Sequence, residues 1–167
     1  VWLEKEKHQR RSDIIPPQIK IAGNYTSSMM AKWQARKNGY DEIILTDENG
    51  FITEAPTSNV FLVNNDGDLL TAPEKDVLYG ITRKSILDIA KNEGINIKVE
   101  RIPLLELENA KEVFITSSSH LVCPVIKIDN KFVGNGVIGD LTARLKKRFL
   151  DITQSKDELF NYWLEKI

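Results

Sequence analysis

The chain has 167 residues, of which 41% are hydrophobic and 28% are charged, a composition typical of one globular domain with a buried core. Its formal net charge of −1 gives no global attraction to nucleic acid or to an anionic membrane. A single cysteine, Cys123, excludes an internal disulfide, and no apolar run approaches the roughly 18 residues of a membrane-spanning helix. The sequence therefore predicts a cytoplasmic protein with no nucleic-acid or membrane partner.

The first half of the chain predicts one helix among several short strands. Residues 4–20 carry mixed charges and then Pro16-Pro17, which predicts an extended lead-in. A helix is predicted over 27–38, with Gly39 just past its end. Strands are predicted over 42–46, 51–54, 59–63 and 69–71, with hairpin turns at 47–50 and 64–67. The inner face of the helix is predicted to carry Met30, Trp33 and either Met29 or Ala31.

The second half mixes helices and strands without a regular order. A helix is predicted over 82–92, with Thr82 as its N-cap and with Ile86, Ile89 and Ala90 buried. The later elements are a strand over 95–102, a short helix over 104–109, a strand over 113–116, a hairpin over 125–133 and helices over 139–150 and 156–166. Because strands and helices do not alternate regularly, the sequence predicts a mixed α/β fold and not a doubly wound sheet.

Two segments are suited to binding a phosphate. Gly80-Ile81-Thr82 opens the predicted helix over 82–92, where free backbone N–H groups and the positive end of the helix dipole attract anions. Ser117-Ser118-Ser119 follows a predicted strand and offers hydroxyl and backbone donors. Each segment also has an ordinary structural interpretation, as a capped helix after a turn and as a serine-rich turn.

Three further side chains offer an amine, a phenol and a carboxylate. Lys20 lies in the apolar segment 18–22, where burial would favour the neutral amine that Schiff-base chemistry needs. Tyr25 follows in the next few residues, and Glu54 ends a predicted strand. Taken singly, these residues are equally consistent with a surface lysine, a half-buried core tyrosine and a solvated glutamate.

The histidines and the cysteine form no recognisable metal or nucleophile motif. His8 lies in the charged lead-in and is expected to be exposed, whereas His120 follows the serine cluster and is placed to line a pocket. No set of His, Cys and carboxylate residues has metal-ligand spacing, so no metal site is predicted. Cys123 is interpreted as a small buried hydrophobe. A Ser–His–Asp triad stays open, although no nucleophile-elbow motif is present.

The order and spacing of these segments resemble those of the fold-type IV pyridoxal-phosphate (PLP) enzymes. That group includes branched-chain amino acid aminotransferases, D-amino acid aminotransferases and aminodeoxychorismate lyases. Each segment alone is a weak signal, but the set is specific and runs from about residue 12 to the C-terminus. The matching segments are Lys20-x-x-Gly23-Asn24-Tyr25, Gly39-Tyr40-Asp41-Glu42, Gly50-Phe51-Ile52-Thr53-Glu54, Ser58-Asn59-Val60-Phe61, Leu78-Tyr79-Gly80-Ile81-Thr82-Arg83, Glu112-Val113-Phe114-Ile115-Thr116-Ser117-Ser118, Pro124-Val125, Ile128-Asp129 and residues 134–139 leading to Leu141-Thr142.

The resemblance implies a role for each candidate residue. Lys20 would form the Schiff base with pyridoxal 5′-phosphate and then shuttle a proton, while Glu54 would pair with the pyridine nitrogen. Tyr25 would contact the 3-oxygen of the ring, a feature more typical of the branched-chain enzymes. The phosphate would be held by Ile81, Thr82 and Ser118, and Ser119 would lie near the substrate carboxylate.

The resemblance also implies an architecture. Residues 18–167 would form the PLP-binding large domain of the D-amino acid aminotransferase-like fold, a short-stranded pseudo-barrel sheet flanked by helices. Residues 1–17 would be the interdomain linker, and the family's smaller N-terminal domain would be missing from this chain. That domain helps to roof the site and contributes an arginine to the phosphate. The complete protein would be a homodimer or a higher oligomer.

The implied activity is PLP-dependent transfer of an amino group from a branched-chain or similar amino acid to 2-oxoglutarate. Two alternatives stay open: a D-amino acid aminotransferase or aminodeoxychorismate lyase of the same family, and a cofactor-binding or subunit-interaction module without turnover. The sequence departs from the family at His120 and Leu121, which replace a small residue and an acid, and at Ala55-Pro56, which replaces a glycine and a small residue. These departures bear on substrate choice and not on cofactor binding.

Overall fold

The computed structural model describes residues 1–3 and 15–165 and has a mixed α/β architecture. Most of the predicted lead-in, with His8, falls on residues 4–14 and so lies outside the described residues. Two 3₁₀ helices, Glu74–Asp76 and Glu158–Trp163, occur among the described residues. The other elements, in chain order, are β1 (Trp2–Leu3), α1 (Gly23–Lys37), β2 (Ile43–Ile44), β3 (Phe51–Ile52), β4 (Glu54–Ala55), β5 (Ser58–Val63), β6 (Leu69–Thr71), α2 (Ile81–Asn92), β7 (Ile97–Val99), β8 (Ile102–Pro103), α3 (Leu104–Glu108), β9 (Glu112–Ser117), β10 (Leu121–Val125), β11 (Lys127–Ile128), β12 (Lys131–Phe132) and α4 (Asp140–Thr153).

A six-stranded sheet forms the centre of the fold, in the order β10-β9-β5-β6-β7 with β4 also paired to β5. Its neighbours are antiparallel except for β6 and β7, whose parallel pairing is made possible by the crossover helix α2. One edge of β5 pairs with β9 from Asn59 to Val63, so β4 and β6 share the other edge. Glu54 of β4, opposite Asn59, is thereby brought close to the end of β6.

The remaining strands form three small pairs beside the central sheet. β1 lies parallel to β2, whereas β3 pairs antiparallel with β8 and β11 pairs antiparallel with β12. The β11–β12 pair confirms the hairpin predicted at 125–133. Short strands flanked by helices thus match the predicted mixed α/β class.

Apolar clusters cover both faces of the central sheet. Helices α2 and α4 pack on the face that carries Phe61 and Phe114, whose ring centroids stack 5.0 Å apart. The opposite face carries Val60, Leu62 and Ile115. Along β5, Val60 and Leu62 alternate with Phe61 in the two-residue period of a strand. Every residue of β5 is buried because both faces of the sheet are covered. The buried stripe of α2 is Ile86, Ile89 and Ala90, as predicted.

The inner face predicted for α1 is wrong for the large side chains and right for Ala31. Met29, Met30 and Trp33 are 44%, 50% and 52% exposed, whereas Ala31 and Ala35 are fully buried. The prediction assumed that large apolar residues at helical spacing face the core of the same chain. Here the small residues face inward instead, because alanine lets the helix backbone approach the rest of the fold closely.

Two contacts hold α1 against β2. Ala31 and Ala35 pack with Ile43 and Leu45 in a small cluster of their own. The Lys32 ammonium also forms an ion pair with the Glu42 carboxylate at 2.6 Å, and both side chains are nearly buried. A buried pair of this kind fixes relative position, because separating it would leave each charge without compensation.

Several element boundaries differ from the prediction. α1 starts at Gly23 and not at 27, and the segment 95–102 is divided between β7 and β8. The strand β10 was missed because Pro124 lies within it, but β10 is an edge strand, where a missing N–H is tolerated. The final segment forms a 3₁₀ helix over Glu158–Trp163. The ring centroids of Phe160 and Trp163 lie 4.5 Å apart, because residues three apart lie above one another in that helix.

Candidate active site

A cavity of about 470 Å³ lies between the turn before α1, the β4–β5 turn, the start of α2 and the β9–β10 turn. The fold brings these four segments together although they are widely separated in the chain. Every site residue predicted from the sequence is part of the cavity wall, namely Lys20, Tyr25, Glu54, Ile81, Thr82, Ser118 and Ser119. The fold therefore brings the predicted site residues together around one cavity.

Lys20 lies in a turn before α1, and the residue is exposed on the cavity wall. The predicted burial of Lys20 in an apolar segment is therefore wrong, because its apolar neighbours Ile19 and Ile21 are also exposed. Asn24 organises this turn, since its Nδ2 donates to the Ile19 carbonyl at 2.7 Å and to the Pro16 carbonyl at 3.2 Å. The amine is thus presented by an ordered turn and not by a strand.

Tyr25 lies in the first turn of α1 and is half-buried on the same wall as Lys20. Its backbone N–H donates to the Ala22 carbonyl at 3.0 Å, which ties the tyrosine to the turn that carries the lysine. The Lys32–Glu42 ion pair anchors the following turns of the helix. A helix fixed in this way positions a side chain more precisely than a loop does.

Glu54 is buried, with 5% of its surface exposed, so its interpretation as a solvated strand-end residue is wrong. Its Oε2 accepts hydrogen bonds from the Leu78 N–H at 3.0 Å and from Asn59 Nδ2 at 3.5 Å. Asn59 Nδ2 also donates to the Leu78 carbonyl at 2.8 Å. Glu54, Asn59 and Leu78 therefore form one polar network in the wall of the cavity.

The start of α2 lies at the cavity and has backbone donors that the helix itself does not use. The N-cap is Gly80, and Thr82 lies inside the helix, so the predicted N-cap role of Thr82 is wrong. The first helical hydrogen bond runs from the Lys84 N–H to the Gly80 carbonyl, so the preceding N–H groups have no acceptor within the helix. Ile81 and Thr82 both line the cavity at this point. The arrangement suits a bound phosphate.

The serine cluster forms the tight turn between β9 and β10 and borders the cavity. The hydroxyls of Ser117 and Ser119 lie 3.1 Å apart, and each lies 3.2 Å from Nδ1 of His120. The His120 N–H donates to Ser117 Oγ at 3.0 Å. His120 is exposed and is not part of the cavity wall, so the expectation that it lines the pocket is wrong. Ser118 and Ser119 lie on the wall and are exposed.

The wall combines three chemical functions. An amine at Lys20 suits a carbonyl compound, and a buried carboxylate at Glu54 suits a protonated ring nitrogen. The α2 N-terminus with nearby hydroxyls suits a phosphate. The residues present therefore fit pyridoxal 5′-phosphate. Among the described residues, no three His, Cys, Asp or Glu side chains are grouped as a metal ion would need, and no helix could cross a membrane.

Comparison with known proteins agrees with this geometry. The family model described as amino-transferase class IV matches residues 3–128. This chain belongs to the class IV aminotransferase family. A protein of Aquifex aeolicus named as a probable branched-chain-amino-acid aminotransferase is 36% identical over 159 residues, which cover 93% of this chain and 51% of that protein.

Two solved structures of branched-chain amino acid aminotransferases share the fold of this class IV chain. The structure from Escherichia coli has a TM-score of 0.92 at 32% identity, covering 99% of this chain and 54% of that one. The structure from Thermobaculum terrenum, in its PLP form, has a TM-score of 0.91 at 26% identity, covering 98% of this chain and 54% of that one. The chain spans about half the length of the curated relatives it matches.

Sequence reasoning assigned no role to Asn24 and Asn59, although both organise the site of this class IV aminotransferase chain. Asn24 holds the turn that carries Lys20, and Asn59 joins Glu54 to Leu78. Neither asparagine has a periodic or compositional signal, because its importance comes from contacts between separate segments. The only signal was their position inside segments that match the family.

Proposed function

We propose that this chain is the PLP-binding part of a branched-chain amino acid aminotransferase, which passes the amino group of a branched-chain or similar amino acid to 2-oxoglutarate. The observation that carries the proposal is that Lys20, Glu54 and the start of α2 line one cavity. Membership of the class IV family and the PLP form of the Thermobaculum terrenum structure support the cofactor. The names of the relatives support the branched-chain substrate.

The bound cofactor would supply an electron sink that makes the Cα proton of an amino acid removable. Lys20 Nζ would supply the amine of the Schiff base and then accept and return that proton. Glu54, fixed by Leu78 and Asn59, would pair with the ring nitrogen and hold positive charge there. Tyr25 would contact the 3-oxygen of the ring. These roles use the protein for position and electrostatics.

The other end of the cavity would hold anionic groups. The phosphate would be bound by backbone groups of Ile81 and Thr82, by the Thr82 hydroxyl and by Ser118. All three residues line the cavity, at the start of α2 or at the serine turn. Ser119 would lie near the substrate carboxylate.

The domain assignment and assembly belong to the same proposal. Residues 18–167 would form the cofactor-binding domain, with 1–17 as a linker. The complete protein would act in the cytoplasm as a homodimer or a larger oligomer. The exposed Met29, Met30 and Trp33 on one helix support an assembly that covers α1, because clustered large apolar side chains are unfavourable in water.

The test is a transamination assay on the complete natural polypeptide that carries this chain. L-Leucine, L-isoleucine, L-valine and D-alanine are offered in turn with 2-oxoglutarate, and glutamate formation is measured. We expect glutamate from the three branched-chain donors and none from D-alanine. Lys20→Ala should abolish turnover, whereas Lys37→Ala, at the exposed end of α1, should leave it unchanged.

Three outcomes would contradict the proposal. Turnover of D-alanine in place of the L-donors would make the protein a D-amino acid aminotransferase. Tight binding of the cofactor without turnover of any donor would make it a cofactor-binding module. Full activity of Lys20→Ala would contradict the role of the lysine itself.

A further inference from the structure

Arg83 is a buried arginine to which the roles above assign no task. It lies in the first turn of α2, immediately after Thr82, and is fully buried. Its Nη2 donates to the Ala72 carbonyl at 2.8 Å, and its Cζ lies 5.5 Å from the ring centroid of Tyr79. Nε and Nη1 are also buried, and neither has a hydrogen-bond partner among the described residues. A guanidinium buried with free donors is unfavourable unless another charge compensates it.

The sheet register places Arg83 near Glu54. β4 and β6 share one edge of β5, with Glu54 opposite Asn59 and Thr71 opposite Phe61. Asn59 and Phe61 are two positions apart, which is about 7 Å along a strand. The Arg83 guanidinium donates a hydrogen bond to the carbonyl of Ala72, the residue after Thr71. It is therefore anchored at the end of β6, beside the part of β5 that pairs with Glu54.

Arg83 and Glu54 also lie on the same face of the sheet. Helix α2, which carries Arg83, packs on the face that holds Phe61. Asn59 has the same orientation as Phe61, because side chains two residues apart in a strand point to one face. Glu54, directly opposite Asn59, shares that face, and the contact of its carboxylate with Asn59 Nδ2 agrees with this placement.

The surrounding charges favour Glu54 as the compensating group. Burial lowers the pKa of Arg83, and the charges of Glu74, Tyr79 and Glu54 act against that shift. Glu74 and Tyr79 are both exposed, so water screens their interaction with the guanidinium. Glu54 is the one buried group of these three, so its attraction to the guanidinium is screened least.

We propose that Arg83 is a positioning residue that acts through Glu54: its buried charge keeps the Glu54 carboxylate ionised in the place where Leu78 and Asn59 hold it for the ring nitrogen of the cofactor. The inference rests on the proposed function, because that function pairs Glu54 with the ring nitrogen of the cofactor. Loss of the Arg83 charge would let the Glu54 carboxylate, which is 5% exposed, take up a proton more readily, since burial disfavours the charged form. A protonated Glu54 would no longer balance a positive ring nitrogen.

A double-mutant cycle tests the coupling in the complete natural polypeptide. Arg83→Met, Glu54→Gln and the double variant are compared by the dissociation constant for PLP and by the absorbance spectrum of the bound cofactor at one fixed pH. Arg83→Met should weaken PLP binding about tenfold and shift the spectrum, an effect within the usual range for coupled neighbours. In the Glu54→Gln background the same change should alter binding less than about twofold. Arg83→Lys, which keeps the charge, should restore most of the wild-type spectrum.

The outcomes separate this inference from the proposed function. An unchanged spectrum and affinity in Arg83→Met, or losses that multiply in the double variant, would overturn the coupling. Failure of borohydride to fix the cofactor on Lys20 in the wild type would overturn the proposed function instead. If Arg83→Met does not fold, Arg83→Gln against Arg83→Lys gives the same comparison of charge, and equal spectra for those two variants would refute the inference.

Discussion

Replacing Gly80 with alanine should disturb the cavity through Asn59. An alanine Cβ would lie 2.3 Å from Asn59 Oδ1 and 3.6 Å from Asn59 Cγ. The Gly80 backbone has φ −68° and ψ 140°, values that alanine adopts without strain. The perturbation is therefore a steric clash with one side chain and not a change of backbone conformation.

The size of the effect follows from what Asn59 holds. A carbon and an oxygen normally approach to about 3.3 Å, so the amide has to move by about 1 Å. That movement breaks the hydrogen bond of 2.8 Å from Asn59 Nδ2 to the Leu78 carbonyl and disturbs the contact with Glu54. An unsatisfied buried group costs about 1–3 kcal/mol, so we expect Gly80→Ala to lower the free energy of unfolding by about 2 kcal/mol. Misplacement by about 1 Å can also lower catalytic rates by up to about 10²-fold.

Denaturant unfolding and PLP titration would measure this prediction. The clash should vanish when Asn59 is shortened, so Gly80→Ala should cost little more once Asn59→Ala is present. Gly23→Ala is the matched control, because among the described residues its new Cβ would meet only Ile15 Cδ1 at 3.4 Å and because alanine favours a helix. Wild-type stability and PLP affinity in Gly80→Ala, or an equal loss in the Asn59→Ala background, would refute the reasoning.

Two further predictions concern charges that stabilise the fold. Lys32→Met should lower the free energy of unfolding by about 3–5 kcal/mol, because it leaves Glu42 buried without its partner at 2.6 Å, and the Lys32→Met/Glu42→Leu double variant should recover most of that loss. Denaturant unfolding measures both, and a double variant no more stable than the single one would contradict the argument. Hydrogen bonds from Lys98 and Asn96 hold the pKa of Asp68 below its usual value of 3.8. The ionised Asp68 therefore stabilises the folded state fully above that value, and this contribution to the free energy of unfolding is lost as the pH falls through the lowered pKa. Urea unfolding from about pH 6 down to about pH 2 should show a smaller acid loss for Asp68→Asn than for the wild type, and equal losses would contradict this.

Much of the candidate site could be predicted because its residues belong to local signals. The start of α2 follows from Gly80 and a helical stripe, and the ends of strands follow from turn residues around Glu54 and the serine cluster. Their convergence on one cavity could be expected only from the resemblance, since no local pattern states which segments meet. The order and spacing of several weak motifs therefore carried more information than any one of them.

The errors have a common physical cause. The exposed Met30 and Trp33 and the exposed segment around Lys20 were assigned to a core because apolar character was taken as a sign of burial within this chain. Burial of Arg83 was not predicted for the opposite reason, since charged residues are rarely buried without a partner. The hydrophobic pattern indicates whether a side chain favours burial. Which side chains are buried within this chain is decided by contacts between distant segments.

The most direct test of the central claim is to reduce the protein with borohydride in the presence of PLP and to map the modified residue by mass spectrometry. The complete natural polypeptide, its Lys20→Ala variant and its Lys37→Ala variant are treated in parallel. We predict a phosphopyridoxyl group on the peptide that contains Lys20 in the wild type and in Lys37→Ala, and no modification in Lys20→Ala. Stoichiometric modification of a different lysine, or of the Lys20→Ala variant, would contradict the assignment of this cavity as the cofactor site.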